Sequence, residues 1–315
     1  MSGKGECGAS GAPKVDAPAG DTATADPSVE TSVDRLGLIA LLAGTAIIAW
    51  SGVLVRFLDV GPLAGAAWRM GLAVPALAVW ARASGRSSAS RADLWAAAIP
   101  LVLAGLAFAL DVGSFHLAIG STKVANASFI GNVAPILTVV GGALVFAEHP
   151  PWRVWLALAV ALVGAWVMAG MAAPAAIGAG DAFALAAATA YAAYLLIVKR
   201  LRKTLDAPTA TLWLAAVSAV ALIVAARLHG ETMIPSTPLG WAIVVLLGVV
   251  SHAMGQGLTS LAIGRTPVGI VALVILAQPP VSALLAWGVL GEAMTTLQLA
   301  GGAIILAAVL MSRPA

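Results

Sequence analysis

Asn132-Val133-Ala134-Pro135 and Ala277-Gln278-Pro279-Pro280 each interrupt a long apolar run, and each run closes on a glutamate thirteen residues after its first proline, Glu148 and Glu292. The paired prolines and the paired glutamates are both 144 residues apart, so the second half of the chain reads as a diverged copy of the first. Further pairs keep that offset without gaps, among them Thr45 with Thr189, Trp50 with Tyr194, Arg56 with Arg200, Ile119 with Ile263 and Thr122 with Thr266. A duplicated apolar domain with helix-breaking prolines in matching places points to a transporter whose site lies between the repeats.

Composition excludes a water-soluble globule. Of 315 residues, 61% are hydrophobic and only 10% charged, and the mean hydropathy is +0.99. A soluble surface of this size needs far more charge, so the chain reads as an all-α integral membrane protein. Its single cysteine, Cys7, excludes an intramolecular disulfide and a cysteine-rich metal or redox site. Residues 1–35 lack apolar periodicity and read as a disordered cytoplasmic tail, with no cleaved signal sequence before Leu36.

About 20 apolar residues cross a bilayer. On that rule the spans are 36–57, 62–81, 94–117, 123–146, 153–171, 181–199, 208–228, 239–262, 267–290 and 295–312. Ten spans divide into two five-helix repeats, 36–171 and 181–312. Lys and Arg set the orientation. Arg35, Arg82, Arg86, Arg91, Arg153, Lys199, Arg200, Arg202, Lys203, Arg265 and Arg313 share the side of the N-terminus, against Arg56, Lys123 and Arg227 opposite. Both termini are therefore expected in the cytoplasm. Five spans is an odd number, so the second repeat must be inverted relative to the first.

Ala66-Ala67-Trp68-Arg69 heads the second span; Ala125-Asn126-Ala127 leads through Pro135 to Glu148; Leu276-Ala277-Gln278-Pro279 leads to Gly291-Glu292. In these motifs and their duplicated order the chain resembles the EamA-type ten-helix exporters of the drug/metabolite transporter superfamily, over residues 36–312. The resemblance implies an exporter of amino acids and other small metabolites in a bacterial inner membrane, working by alternating access without a nucleotide-binding domain. It departs from the pattern at Ala147, where the second repeat keeps Gly291.

Polar residues inside apolar spans are the site candidates. Arg69 in the second span and Asp111 in the third lie at similar depth; either they form an internal ion pair, or Arg69 receives a substrate carboxylate. Ser128, Asn132 and Pro135 share one face of the fourth span, and Gln278, Pro279, Pro280 and Ser282 repeat the theme in the ninth. Each proline deletes a ladder bond, which kinks the helix and turns polar backbone toward a cavity or a packing neighbour. His252, Gln256 and Thr259 share a face of the eighth span, and His252 is a candidate proton carrier or a hydrogen-bonded structural group. His116, His149 and His229 lie near span ends and read as interfacial. Trp50, Trp68, Tyr191, Tyr194 and Trp213 occupy span interiors, where they either meet a ring or ammonium group or fill space between Ala- and Gly-rich helices.

The residues favour a secondary transporter exporting amino acids or related small metabolites, with Trp50, Trp68, Arg69, Asn132, Tyr194, Trp213, His252 and Gln278 as substrate-binding candidates. A lipid or lipid-linked-sugar flippase and a multidrug exporter are the alternatives. No Gly-x-Ser-Gly turn, His pair with metal spacing or Walker A sequence is present, so no enzyme, metal, cofactor, ATPase subunit or nucleic-acid partner is expected. The expected partners are a small-molecule substrate and membrane lipid.

Overall fold

The computed structural model describes residues 34–84, 89–122, 124–171 and 178–311. The tail through Val33, with Cys7, and also Arg86, Lys123 and Arg313 lie outside the described residues. Within them every regular element is helical. Ten segments follow in chain order: Arg35–Phe57, Pro62–Ala83, Ala98–Ser121, Val124–Phe146, Trp152–Met168, Ala179–Leu201, Ala207–Leu228, Pro238–Ile263, Val268–Leu290 and Thr296–Met311. Eight are long and apolar enough to cross a membrane; the fifth and tenth are apolar but shorter, at 17 and 16 residues. The fifth stops because Gly170 and Met171 both take positive φ, which ends helical winding. Starts are equally local: the Asp34 carboxylate caps the first segment through Leu36 N, and the Thr237 hydroxyl caps the eighth through Gly240 N. The exterior carries large apolar side chains such as Leu144, Val79 and Val220, as lipid contact requires.

Packing between the halves comes in exchanged pairs. The third segment lies on the sixth and the eighth on the first; the third lies on the seventh and the eighth on the second; the fourth lies on the sixth and the ninth on the first. The second and seventh, fourth and ninth, and fifth and tenth meet their own counterparts. A contact set unchanged when the halves are exchanged is what a pseudo-two-fold axis produces.

Bonds at the segment ends give the relative directions. Arg265, after the eighth segment, pairs with Asp34 at the start of the first. Arg202, at the end of the sixth, donates to the Ser260 carbonyl near the end of the eighth at 3.0 Å. The start of the first segment and the end of the sixth are thus level, and these two counterparts run antiparallel, so the second repeat is inverted. Lys199 pairs with Glu148 at the far ends of the sixth and fourth segments, while Asp181 and Thr122 meet near their starts. The fourth and sixth are parallel, and the fifth between them returns. Below, the N face is the one that carries Asp34.

The two prolines do more than kink their helices. The fourth segment is two helices, Val124–Gly131 and Ala134–Phe146; the ninth is Val268–Ile275 and Gln278–Leu290. All four boundaries, Val124 with Val268, Gly131 with Ile275, Ala134 with Gln278 and Phe146 with Leu290, are shared at an offset of 144. At the breaks, Val133 N bonds to Ile130 O and Ala277 N to Val274 O, the tighter i−3 pattern. Pro135 and Pro279 then sit in the first turn of a new helix, where a missing N–H costs nothing. Both second halves end on a left-handed residue, Ala147 at φ 54° and Gly291 at φ 67°. The exception noted in the sequence therefore keeps the glycine's conformation without the glycine.

Outside those stretches the offset is not constant. Gly105 in the third segment packs on the Val217 side chain and Leu214 carbonyl; Gly248 in the eighth packs on the Leu72 side chain and Arg69 carbonyl. These are one contact seen in both repeats. It pairs glycines 143 apart with partners 145 apart, which makes Trp68 and Trp213 counterparts and sets Arg69 against Leu214. The third and eighth segments return to 144 by Ile119 and Ile263, so the eighth holds one extra residue. It is taken up by a π-helix over Leu246–Gln256.

Candidate functional site

A cavity of about 310 Å³ lies among the end of the first segment and the second, third and eighth. Val55, Leu58 and Val60 border it toward the face opposite Asp34; Arg69, Val112, His116 and Leu247 border it deeper. Arg69 is seven residues into its helix, about 10 Å along the axis at 1.5 Å per residue. Two described lining residues are polar, Arg69 and His116; the others carry Val, Leu, Pro, Gly, Ala or Met side chains. The second helix brings Arg69 here because Leu63, Ala66, Ala67 and Met70 around it are buried in the bundle. Arg69 Nε is enclosed and has no hydrogen-bond partner among the described residues. His116 Nδ1 lies 2.7 Å from the Val112 carbonyl, one turn back along the same helix.

Deeper, a packed polar and aromatic cluster closes the centre. Phe108 of the third segment contacts Tyr194 of the sixth at 4.8 Å and His252 of the eighth at 5.6 Å between ring centroids. Tyr191 stacks on Tyr194 at 5.8 Å, and Gln256 Nε2 donates to the Tyr194 hydroxyl at 2.7 Å. Tyr194, His252 and Gln256 are 2–3% exposed, so their side chains are enclosed by the bundle. His252 Nδ1 has no hydrogen-bond partner among the described residues. Arg69 interacts through space with Asp111, Tyr191, Tyr194 and His252, which joins the cavity to the cluster electrostatically.

Arg69 and Asp111 are neighbours, but no salt bridge within 4.0 Å joins them among the described residues. Similar depth on adjacent helices set them near each other; helix rotation left the guanidinium facing the cavity. His116, read as interfacial, lines the cavity instead. Its position near a helix end gave no sign of this, because the cavity reaches close to that end. Trp68 donates Nε1 to the Met233 carbonyl at 2.6 Å and packs edge-on against Trp241. It anchors the loop before the eighth segment. Its counterpart Trp213 and Trp50 are both exposed. Asn132 and Gln278 are half-buried at the two helix breaks, beside Pro135, which is buried, Pro279, which is exposed, and Pro280, which is buried. Phe108 escaped sequence reasoning, since one phenylalanine in an apolar helix carries no signal.

At the face opposite Asp34 the loops are tied down. The Asp59 carboxylate accepts from the backbone N–H and the hydroxyl of both Ser236 and Thr237, and these bonds, the Thr237 hydroxyl first, hold its pKa below the usual carboxylate value. The Glu231 carboxylate accepts from Ala64 N at 2.8 Å, a charged cap on the second helix. Two ion pairs occupy equivalent places at the two faces: Arg56 with Glu292, and Lys199 with Glu148. Each joins the first helix of one repeat to the end of the broken helix of the other.

A model of the EamA-like transporter family matches residues 35–170 and again 178–313. An uncharacterized transporter of Archaeoglobus fulgidus is 29% identical over 203 residues, which are 64% of this chain and 72% of that protein. A crystal structure of a protein 19% identical in sequence is similar with a TM-score of 0.74, over 87% of this chain and 96% of that one. At that identity the likeness concerns the fold.

Proposed function

From the premise that the chain belongs to the EamA-like transporter family in both of its halves, we propose that it is a secondary exporter of amino acids or related small carboxylate metabolites. Ten crossings with both termini in the cytoplasm of a bacterial inner membrane fit the Lys and Arg distribution. In that orientation the cavity lies in the outer half of the membrane and the Phe108–Tyr194–His252 layer closes the path inward. The observation that carries the reading is Arg69. A guanidinium within an apolar bundle, with one N–H enclosed and unpaired beside a small cavity, is costly unless an anion visits it. A cavity of about 310 Å³ is at the lower end of the roughly 300–1,000 Å³ typical of ligand pockets, which suits a small metabolite. The inverted repeats supply the movement: the two halves rock about the central layer and expose Arg69 to each side in turn.

The test is flux of radiolabelled amino acids and their 2-oxo acid analogues in proteoliposomes, with Arg69→Met as the comparison. Saturable flux in the wild type, lost in a variant that keeps its thermal unfolding temperature, is the expected result. Full flux through Arg69→Met would remove the assignment of the cavity.

A further inference from the structure

The lining of the cavity is one-sided in charge, and this narrows its ligand. Arg69 is the one fixed charge among the described lining residues, with His116 the other polar group. Among the described lining residues there is no carboxylate and no Phe, Tyr or Trp ring, so none of them receives an ammonium group by ion pairing or by cation–π attraction. His116 supplies no counter-charge: its Nδ1–H donates to the Val112 carbonyl at 2.7 Å, which leaves the other ring nitrogen as a single uncharged acceptor. Asp111 is adjacent in sequence to the lining Val112, yet it does not border the cavity. It is a through-space neighbour of the guanidinium and makes no direct salt bridge to it. The remaining walls, including Val55, Leu58, Met70 and Leu247, are aliphatic.

Resting on the transporter reading, we propose that this cavity selects small aliphatic monocarboxylates that lack an ammonium group, such as branched 2-oxo or simple carboxylic acids, over the zwitterionic amino acids of the same shape. The carboxylate meets Arg69 and satisfies its enclosed Nε–H. The aliphatic body lies along the Val, Leu and Met walls. An amino acid of equal size makes the same two contacts but must strip its ammonium of water with no counter-charge among the described lining residues to replace it, and a buried charge without a counter-charge is heavily disfavoured. The discrimination rests on the ammonium charge, since an apolar wall alone rejects a neutral added group only modestly.

Leucine and 4-methyl-2-oxopentanoate form the decisive pair, since they share the carbon skeleton and the carboxylate and differ at the α-position. Initial uptake of each is measured in proteoliposomes of the full chain at pH 7, with protein-free liposomes subtracted, for the wild type and Arg69→Met. The expected result is a kcat/KM at least 10-fold higher for the oxo acid, with that flux lost in Arg69→Met. Flux of leucine equal to or above that of the oxo acid overturns the selectivity while leaving a transporter that uses Arg69. Flux of neither, from protein that unfolds at the wild-type temperature, overturns both the selectivity and the amino-acid or carboxylate reading beneath it.

Discussion

The two equivalent ion pairs form a natural controlled experiment, because the pseudo-symmetry matches their partners but not their surroundings. Arg56 and Glu292 keep 50% and 47% of their side-chain surface exposed; Lys199 and Glu148 keep 15% and 16%. Exposed pairs contribute about 0.2–1 kcal/mol, whereas removing one partner of a fully buried pair costs about 3–5 kcal/mol. Glu148 also accepts a charge-assisted bond from Val268 N at 3.0 Å, and Lys199 faces the Phe146 ring at 5.5 Å. Glu148→Gln should therefore cost about 2–3 kcal/mol, and Glu292→Gln under about 1 kcal/mol, with partial exposure discounting the buried figure. Thermal unfolding in detergent reads the difference: about 2–4 °C per kcal/mol gives a drop of roughly 4–12 °C for the first variant and under about 4 °C for the second. Double-mutant cycles with Lys199→Met and Arg56→Met isolate the pair terms. Raising the salt concentration should erase the Arg56–Glu292 coupling and spare most of the other. Equal coupling in the two cycles would falsify the premise that burial, and not position in the repeat, sets the strength.

Three further outcomes follow from local geometry. Ala147→Gly should stabilise the protein by about 0.5–1 kcal/mol, since it relieves about 1–2 kcal/mol of left-handed strain and returns part of it as unfolded-chain entropy; Gly291→Ala should do the reverse, both read by unfolding temperature. Gly164 and Gly301 each place an ideal Cβ within 2.8 Å of the other's carbonyl oxygen, so Gly301→Val should force the fifth and tenth segments apart and cost about 2–3 kcal/mol, seen as loss of monodisperse protein on size exclusion. The Arg265 hydrogen bond, and then that from Leu36 N, lower the pKa of Asp34; the stability it contributes is present above the ordinary carboxylate range and disappears as pH falls through the lowered value. Asp34→Asn should accordingly unfold earlier than the wild type at pH 7, and the gap should close in acid.

The parts of the fold legible in the sequence were those written in residues with one strong effect. Proline removes a hydrogen bond wherever it stands, so Pro135 and Pro279 marked the interrupted helices, although only the structure shows them opening new helices. Glu148 and Glu292 were visible as a pair, but their partners were not, because Arg56 and Lys199 do not share an offset. The inverted arrangement followed from an odd number of segments. The changes of offset were hidden, since the matched residues lay on either side of them and the errors cancelled. The i, i+4 face drawn for His252 and Gln256 assumed α winding, and hydropathy does not distinguish that from π winding. Arg69 was identifiable as a charge in an apolar helix; whether it faced Asp111 or open space depended on helix rotation, which depth alone does not give.

The π-helix in the eighth segment shows how a duplicated chain acquires a unique centre. In an α-helix one inserted residue turns everything beyond it by about 100°, which would swing Thr259 and Ile263 off the first segment and break the match between the repeats. A wide turn absorbs the residue where it falls. The ends of the eighth segment stay in phase with the third, and the irregularity is confined to the turns that hold His252 and Gln256. Those two side chains, with Tyr194 and Phe108, form the packed central layer, and in the proposed transport cycle this is the level at which the halves part and rejoin. An insertion confined to these turns has thus freed the middle of the molecule from its own symmetry, so that the centre of a duplicated chain can hold an arrangement with no counterpart in the other half.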